Sequence, residues 1–157
     1  MSLRTTGEIS VDVDRQTAFA VVKDPDRLAR CIPGCEDLQE LGADKYSAVL
    51  TSKVAFLTLR FKVVIDVVRM DPPSAIEARI TGDAIGLTGH VVATASLDLT
   101  DAGEHRTTIR YATDVGLTGK LGGLGQPVFR ATSARIAKEF GANLRSEIER
   151  EGAARSA

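Results

Sequence analysis

Two cysteines stand close enough in the sequence for joint chemistry. Cys31 and Cys35 form a C-x3-C pair, whereas a thioredoxin-type redox pair uses C-x-x-C. Zinc would need two further ligands, and the chain's two histidines, His90 and His105, come much later. Thiols in a cytoplasm stay reduced. The pattern therefore favours a core or loop role for both cysteines, with a redox or metal role as the alternative.

The two histidines lack the companions that acid–base chemistry requires. His105 stands between Glu104 and Arg106 in a turn-forming stretch, which predicts a solvated side chain. His90 begins a strand and shares its outward face with Thr94. A general base must be placed beside a nucleophile or a carboxylate, and the sequence pairs neither histidine with one. We therefore predict no catalytic residue and no metal site.

Glycines cluster at Gly116–Gly125, directly before the last helical stretch. Their spacing fits neither GxGxxG nor GxxxxGK[ST], and Lys120 precedes the cluster instead of ending it. Two interpretations stay open: a flexible turn that delivers the chain to Pro127, or a glycine hinge that gates a cavity. The helix N-terminus behind it would favour a polar or anionic ligand head.

Two further places in the sequence combine apolar and polar residues unexpectedly. Phe56–Leu59 is apolar where a polar hairpin is expected, and it either tucks into the core or forms a lip that meets a membrane or a partner protein. Thr132 and Arg135 are polar residues on the inward face of the last helix. The Arg135 side chain either snorkels to solvent or anchors a ligand carbonyl.

Strands come first in the element order, and one long helix comes last. Leu3–Val13 alternates apolar and polar residues as a half-buried strand does, and two short helical stretches follow, the first capped by Asp14. Within Glu36–Val115 the apolar period is near two with turns and no helix, which predicts antiparallel meander pairing. From Pro127 the apolar spacing is three and four over about 24 residues, or roughly 36 Å. The fold class is therefore α+β.

Length and composition indicate a single globular domain. The chain has 157 residues, of which 43% are hydrophobic, and we assign residues 1–151 to the domain and residues 152–157 to a frayed tail. The apolar runs are too short for a transmembrane helix, and the N-terminus lacks a signal-peptide core, so a cytoplasmic location is expected. A net charge of −1 and 4% aromatic residues argue against nucleic acid as a partner.

The chain resembles the CoxG family of carbon monoxide dehydrogenase subunits, within the START/Bet v 1-like helix-grip (SRPBCC) superfamily. Three segments carry this resemblance by their order and spacing. They are Asp24–Glu36 with its run Cys31-Ile32-Pro33-Gly34-Cys35-Glu36, the step Gly82-x-x-x-Gly86-x-x-Gly89, and Gly116–Gln126 leading into the helix that carries Phe140.

The resemblance implies both a fold and a function. The fold would be a seven-stranded curved antiparallel sheet wrapped around a long C-terminal helix, with two short helices after strand 1 and an apolar cavity inside. The function would lie beside a molybdenum hydroxylase of the CO dehydrogenase type, in maturation, membrane recruitment or electron-acceptor delivery. The same superfamily contains polyketide cyclases and aromatases.

Three functional hypotheses follow. The first is a non-enzymatic carrier that holds a quinone or a lipid without any covalently bound cofactor, acts as a monomer or a homodimer, and touches the inner face of the membrane transiently. The second is a cyclase-like enzyme with Tyr111 as a polar catalytic group, and the third is a cargo-free recruitment module. The ligand-binding residues predicted for the carrier are Leu50, Phe56, Phe61, Val63, Ile65, Ala78, Ile80, Leu87, Val91, Ala93, Tyr111, Thr113, Val115, Leu121, Leu124, Val128, Thr132 and Phe140.

Overall fold

The computed structural model describes residues 2–54, 57–119 and 125–156. Within these ranges the chain forms seven strands and three helices. The strands are β1 (Ser2–Val11), β2 (Cys35–Gly42), β3 (Lys45–Val54), β4 (Leu57–Asp71), β5 (Ala75–Ala84), β6 (Gly89–Asp101) and β7 (Thr107–Gly119). The helices are α1 (Arg15–Val22), α2 (Pro25–Cys31) and α3 (Gln126–Ser156).

The strands pair antiparallel in one sheet, in the order β1-β7-β6-β5-β4-β3-β2. Each strand from β2 to β6 pairs with the next one along the chain, so the sheet is a meander, and β1 lies at the edge beside β7. The helix α3 contacts β1 on one side and β3 on the other. These features confirm the α+β class and the seven-stranded antiparallel sheet with a long C-terminal helix.

The pairing register decides which residues face α3. Val63 of β4 stands opposite Ala48 of β3 and Gly82 of β5, and Val63 and Ile109 are fully buried. Successive residues of a strand point to opposite faces, so the residues two apart from these share the inward face. The inward residues predicted from the period of two in β4–β7 therefore do lie on one face.

Both short helices are capped by aspartates, of which the sequence predicts Asp14. The Asp14 carboxylate accepts a hydrogen bond from the Thr17 N–H at 2.7 Å, which lowers the pKa of Asp14. Asp24 accepts from the Asp26 N–H at 3.1 Å ahead of α2. Such caps satisfy backbone donors that the first helical turn leaves unpaired.

The C-terminal helix is longer than the sequence indicates. It continues through Ser156, so residues 152–156 are helical, and the expected frayed tail is wrong for them. Gly152 lies against Val13 so closely that a Cβ would overlap the valine, and this contact holds the last turns on the domain. The Arg27 Nε bonds Glu147 at 2.9 Å and further ties α2 to α3.

Candidate functional site

Two separate hydrophobic clusters fill the space between the sheet and α3. The basal cluster contains the fully buried residues Ile109, Leu144 and Ile148. The rim cluster contains Val54, Leu59, Leu117 and Phe129, with partly buried neighbours such as Phe61. Compact domains usually have one contiguous core. The division therefore indicates that the region between the clusters is packed differently from the clusters themselves.

We call the space between the two clusters the central groove. Several inward residues along it belong to neither cluster and are only half-buried although they face α3, whereas Ala93 beside Ile80 is buried. Partly buried apolar side chains on an inward face indicate that their covering is incomplete. The groove is bounded by Ile65, Ala78, Ile80, Ala95 and Thr113 on the sheet and by Thr132 and Ile136 on α3.

Small side chains form the sheet side of the groove. Thr5, Thr113, Ala95 and Ala78 stand opposite one another in a row across β1, β7, β6 and β5. Such side chains project little toward α3. The row therefore contributes little side-chain volume to this part of the inward face.

The helix side of the groove is set by the helical period. The Arg135 guanidinium donates a hydrogen bond to the Lys53 carbonyl oxygen of β3 at 3.0 Å, which turns this side of α3 toward β3. Thr132, Ile136 and Phe140 recur at four-residue spacing beside Arg135, so they face the groove. The half-exposed Arg135 side chain agrees with the interpretation that it snorkels to solvent, and its bond to the Lys53 carbonyl is a role that neither interpretation included.

Tyr111 and Phe140 form the floor of the groove. Their rings meet edge to face, with centroids 5.2 Å apart, and the Tyr111 hydroxyl donates to the Ala137 carbonyl at 2.9 Å. The Tyr111 ring lies against Gly7 and Gly141, where a Cβ on either glycine would overlap it. Burial raises the pKa of Tyr111. The hydrogen bond of its hydroxyl therefore helps to hold α3 against the sheet.

The opposite end of the groove carries exposed apolar residues. Leu57, Ile85 and Leu87 are 40%, 49% and 38% exposed, and all three lie at the end of the sheet where β7 leads toward α3. A small cavity of about 20 Å³ lies beside this end, between Leu3, Val115, Leu117, Phe129 and Ser133. Because a ligand pocket usually has several hundred Å³, this cavity is large enough only for water.

Phe56–Leu59 is only partly a connection between strands. Leu57, Thr58 and Leu59 belong to β4, with Leu57 paired to Val54, so the expected apolar loop is wrong for these three residues. Leu59 is buried in the rim cluster, while Leu57 is exposed at the rim. Residues 55–56 lie outside the described residues, as do residues 120–124 of the glycine-rich segment.

The structure gathers most of the predicted ligand-binding residues on the inward surfaces. Val63 and Ala93 are buried, Leu87 is exposed at the rim, and Phe56, Leu121 and Leu124 lie outside the described residues. The predicted set omits Ser52 and Ile136, which also face inward. The half-buried members of the predicted set are Leu50, Phe61, Ile65, Ala78, Ile80, Val91, Tyr111, Thr113, Val115, Val128, Thr132 and Phe140.

Both cysteines are free thiols. Burial, and secondarily Glu147, raises the pKa of Cys31 to about 11, and its thiol contacts the Arg27 carbonyl oxygen at 3.4 Å. Burial also raises the pKa of Cys35. A reactive cysteine needs a lowered pKa, so the core role is the one that the surroundings favour.

We expect Cys31 to resist alkylation in the native protein. A pKa near 11 leaves about 100-fold less thiolate at pH 8 than a free thiol has, and burial adds a steric barrier. Timed labelling with iodoacetamide, mapped by mass spectrometry, should modify the half-buried Cys35 first and Cys31 only after unfolding in guanidinium. Fast native labelling of Cys31 would restore the redox interpretation.

The histidines lie on the surface, as predicted. His90 Nδ1 is 2.9 Å from the Asp83 carboxylate on the outward face, so the expectation that no carboxylate accompanies this histidine is wrong. His105 is exposed in the turn before β7. Among residues 2–54, 57–119 and 125–156, no group of three or more His, Cys, Asp and Glu residues could hold a metal ion. In the same described part of the chain, no helix is long and apolar enough to cross a membrane.

Solved structures with similar folds support this architecture. A conserved protein from Geobacillus kaustophilus is similar at a TM-score of 0.84 with 26% identity, over 94% of this chain and 96% of that one. The Zhui aromatase/cyclase from Streptomyces has a TM-score of 0.72 at 16% identity, over 97% and 96%. A START superfamily protein from Mycobacterium smegmatis has a TM-score of 0.69 at 10% identity, over 94% and 97%. At such low identity, the last two show the helix-grip fold alone.

The sequence comparison identifies the family. No curated protein matches the sequence. A family model that describes CoxG, a subunit of carbon monoxide dehydrogenase, matches residues 7–149, nearly the whole chain. With its three motif segments and its START-like fold, this chain belongs to the CoxG family of carbon monoxide dehydrogenase subunits.

Proposed function

We propose that the protein is a non-enzymatic carrier that binds an apolar small molecule, a quinone or a lipid, in the central groove. The observation that carries this proposal is the division of the interior into two clusters, with half-buried aliphatic residues between them. A protein that needed only stability would gain by filling this space. The row of small side chains through Ala78 and Ala95 supports the proposal that this region admits a ligand.

Apolar contact alone supplies useful affinity in such a groove. Burying about 300 Å² of ligand surface contributes about 7.5 kcal/mol at about 25 cal/mol per Å², before the cost of association is subtracted. The side chains of Ile65, Ile80 and Ile136 are aliphatic, and the apolar contacts they make require no particular ligand orientation. Such a lining suits a ligand that must be held and then released.

Local hydrogen bonds favour a carrier over a cyclase-like enzyme. The Tyr111 hydroxyl donates to Ala137 at 2.9 Å, and the Thr132 hydroxyl donates to the Val128 carbonyl at 3.0 Å. A general acid or base must be within reach of the reacting group. These two hydroxyls, which the cyclase hypothesis needs, are instead engaged by α3 itself.

Family membership supports a partner of the CO dehydrogenase type. The family is named as a subunit of carbon monoxide dehydrogenase, so we propose that the carrier serves a molybdenum hydroxylase, in maturation, membrane recruitment or electron-acceptor delivery. The exposed Leu57, Ile85 and Leu87 at the rim offer an apolar surface across which a ligand would pass. Transient contact with the cytoplasmic face of a membrane at this rim is part of the proposal.

The proposal is tested by asking what the purified protein carries. We expect native mass spectrometry of cell-purified protein to show a bound molecule below about 1 kDa that solvent extraction recovers. We also expect added 2-methyl-1,4-naphthoquinone to raise the melting temperature of ligand-free protein. If neither occurs while the protein still co-purifies with a hydroxylase, the cargo-free recruitment module is correct and the carrier proposal is wrong.

A further inference from the structure

Ser52 places a polar group on the inward side of β3. It stands opposite Leu59 of β4, between the inward residues Leu50 and Val54 of its own strand. Its hydroxyl oxygen is buried and has no hydrogen-bond partner among the described residues. Its neighbours Leu50, Val54 and Leu59 are apolar, so nothing beside it in the strands satisfies this hydroxyl.

Other hydroxyls in the interior are satisfied by the backbone. Thr107 donates to the Val13 carbonyl oxygen at 2.8 Å, and Thr132 donates to Val128 at 3.0 Å. The other buried polar atom without a partner is the Arg15 Nε, but the terminal nitrogens of that guanidinium reach Ser74 and Asp101. Ser52 has a single polar side-chain atom, so it lacks such compensation.

Leaving a buried hydroxyl unpaired costs about 1–3 kcal/mol. An alanine of nearly the same volume would avoid that cost at this position. The position also lies where α3 meets β3, since Arg135 bonds the neighbouring Lys53 carbonyl.

We infer that the Ser52 hydroxyl donates a hydrogen bond to an oxygen acceptor of the groove ligand, of the carbonyl class found in quinones and esters. The inference rests on the proposed function and adds an orientation to it. The ligand oxygen lies toward the rim beside Ser52, and its apolar body lies toward the Tyr111–Phe140 floor. Ser52 thereby selects an oxygenated ligand over a hydrocarbon of the same shape.

A pair of probe molecules with one carbon skeleton tests this selection. Calorimetric titration would compare 2-methyl-1,4-naphthoquinone, which has two carbonyls, with 2-methylnaphthalene, which has none. For Ser52→Ala we expect the affinity for the quinone to fall about fivefold, as one hydrogen bond of about 1 kcal/mol predicts. The affinity for the hydrocarbon should stay unchanged, and the variant should melt no lower than the wild type.

Ser47→Ala is the matched control, because Ser47 lies on the same strand and faces outward opposite Val64. It should change neither affinity. If the wild type binds both probes and Ser52→Ala weakens neither or both equally, the Ser52 inference is wrong while the carrier proposal stands. If the wild type binds neither probe, the inference fails, and the carrier proposal fails with it only if native mass spectrometry also finds no bound molecule.

Discussion

Replacing Ala95 with tryptophan is expected to abolish ligand binding while the protein stays folded. Ala95 lies in the middle of the groove's sheet side, between Ala78 and Thr113 of the neighbouring strands. An indole there would occupy the space proposed for the ligand. Excluding about 110 Å² of ligand apolar surface removes about 2.8 kcal/mol, so we expect affinity for 2-methyl-1,4-naphthoquinone to fall about 100-fold.

The matched control is Val92→Trp on the same strand. Val92 is exposed on the outward face, so the same side chain there should leave binding unchanged. The natural chain contains no tryptophan, so each variant has a single indole whose emission reports its surroundings. Blue-shifted emission from Ala95→Trp combined with undiminished binding would place the ligand elsewhere and contradict the groove.

The regular parts of this fold are readable from the sequence because local rules decide them. The alternation in β4, such as Phe61, Val63 and Ile65, identifies the inward face without any knowledge of the partner strands. Asp14 marks the start of the first short helix through its capping side chain. The number of strands and the internal space came from the family resemblance, since periodicity carries no information on sheet curvature.

The features that the sequence does not predict depend on contacts between distant segments. The apolar alternation in β3 is clear only as far as Leu50, because Ser52 is polar and breaks the pattern on the inward face. Its burial follows from pairing with Leu59 and from the nearby helix. Residues 152–156 look like a tail, yet Gly152 lies against Val13, a contact between opposite ends of the chain.

The division of the interior is another property of tertiary packing. Ile136, Phe140, Leu144 and Ile148 form one apolar stripe in the sequence and appear equivalent there. In the structure Leu144 and Ile148 are fully buried, while Ile136 and Phe140 are half-buried beside the groove. One helix therefore stabilises the fold with its C-terminal half and borders the proposed site with its N-terminal half.

This difference within α3 predicts a separation of stability from binding. Leu144→Ala should cost about 3 kcal/mol of unfolding free energy, because it leaves a void in the closed basal cluster, and should lower the melting temperature by about 6–12 °C. Ile136→Ala should cost less than about 1 kcal/mol, because its side chain is already partly exposed. Urea unfolding of both ligand-free variants measures the two values.

The loss of ligand affinity should be larger for Ile136→Ala than for Leu144→Ala, the reverse of the order expected for stability. Ile136→Ala removes aliphatic surface from the groove wall and should weaken the quinone probe by about fivefold, as a loss of about 1 kcal/mol implies. Leu144→Ala lies beyond the Tyr111–Phe140 floor, so at a temperature where it remains folded it should bind as the wild type does. Equal stability costs for the two substitutions would mean one continuous core along α3. The groove, and the carrier built on it, would then have no physical basis.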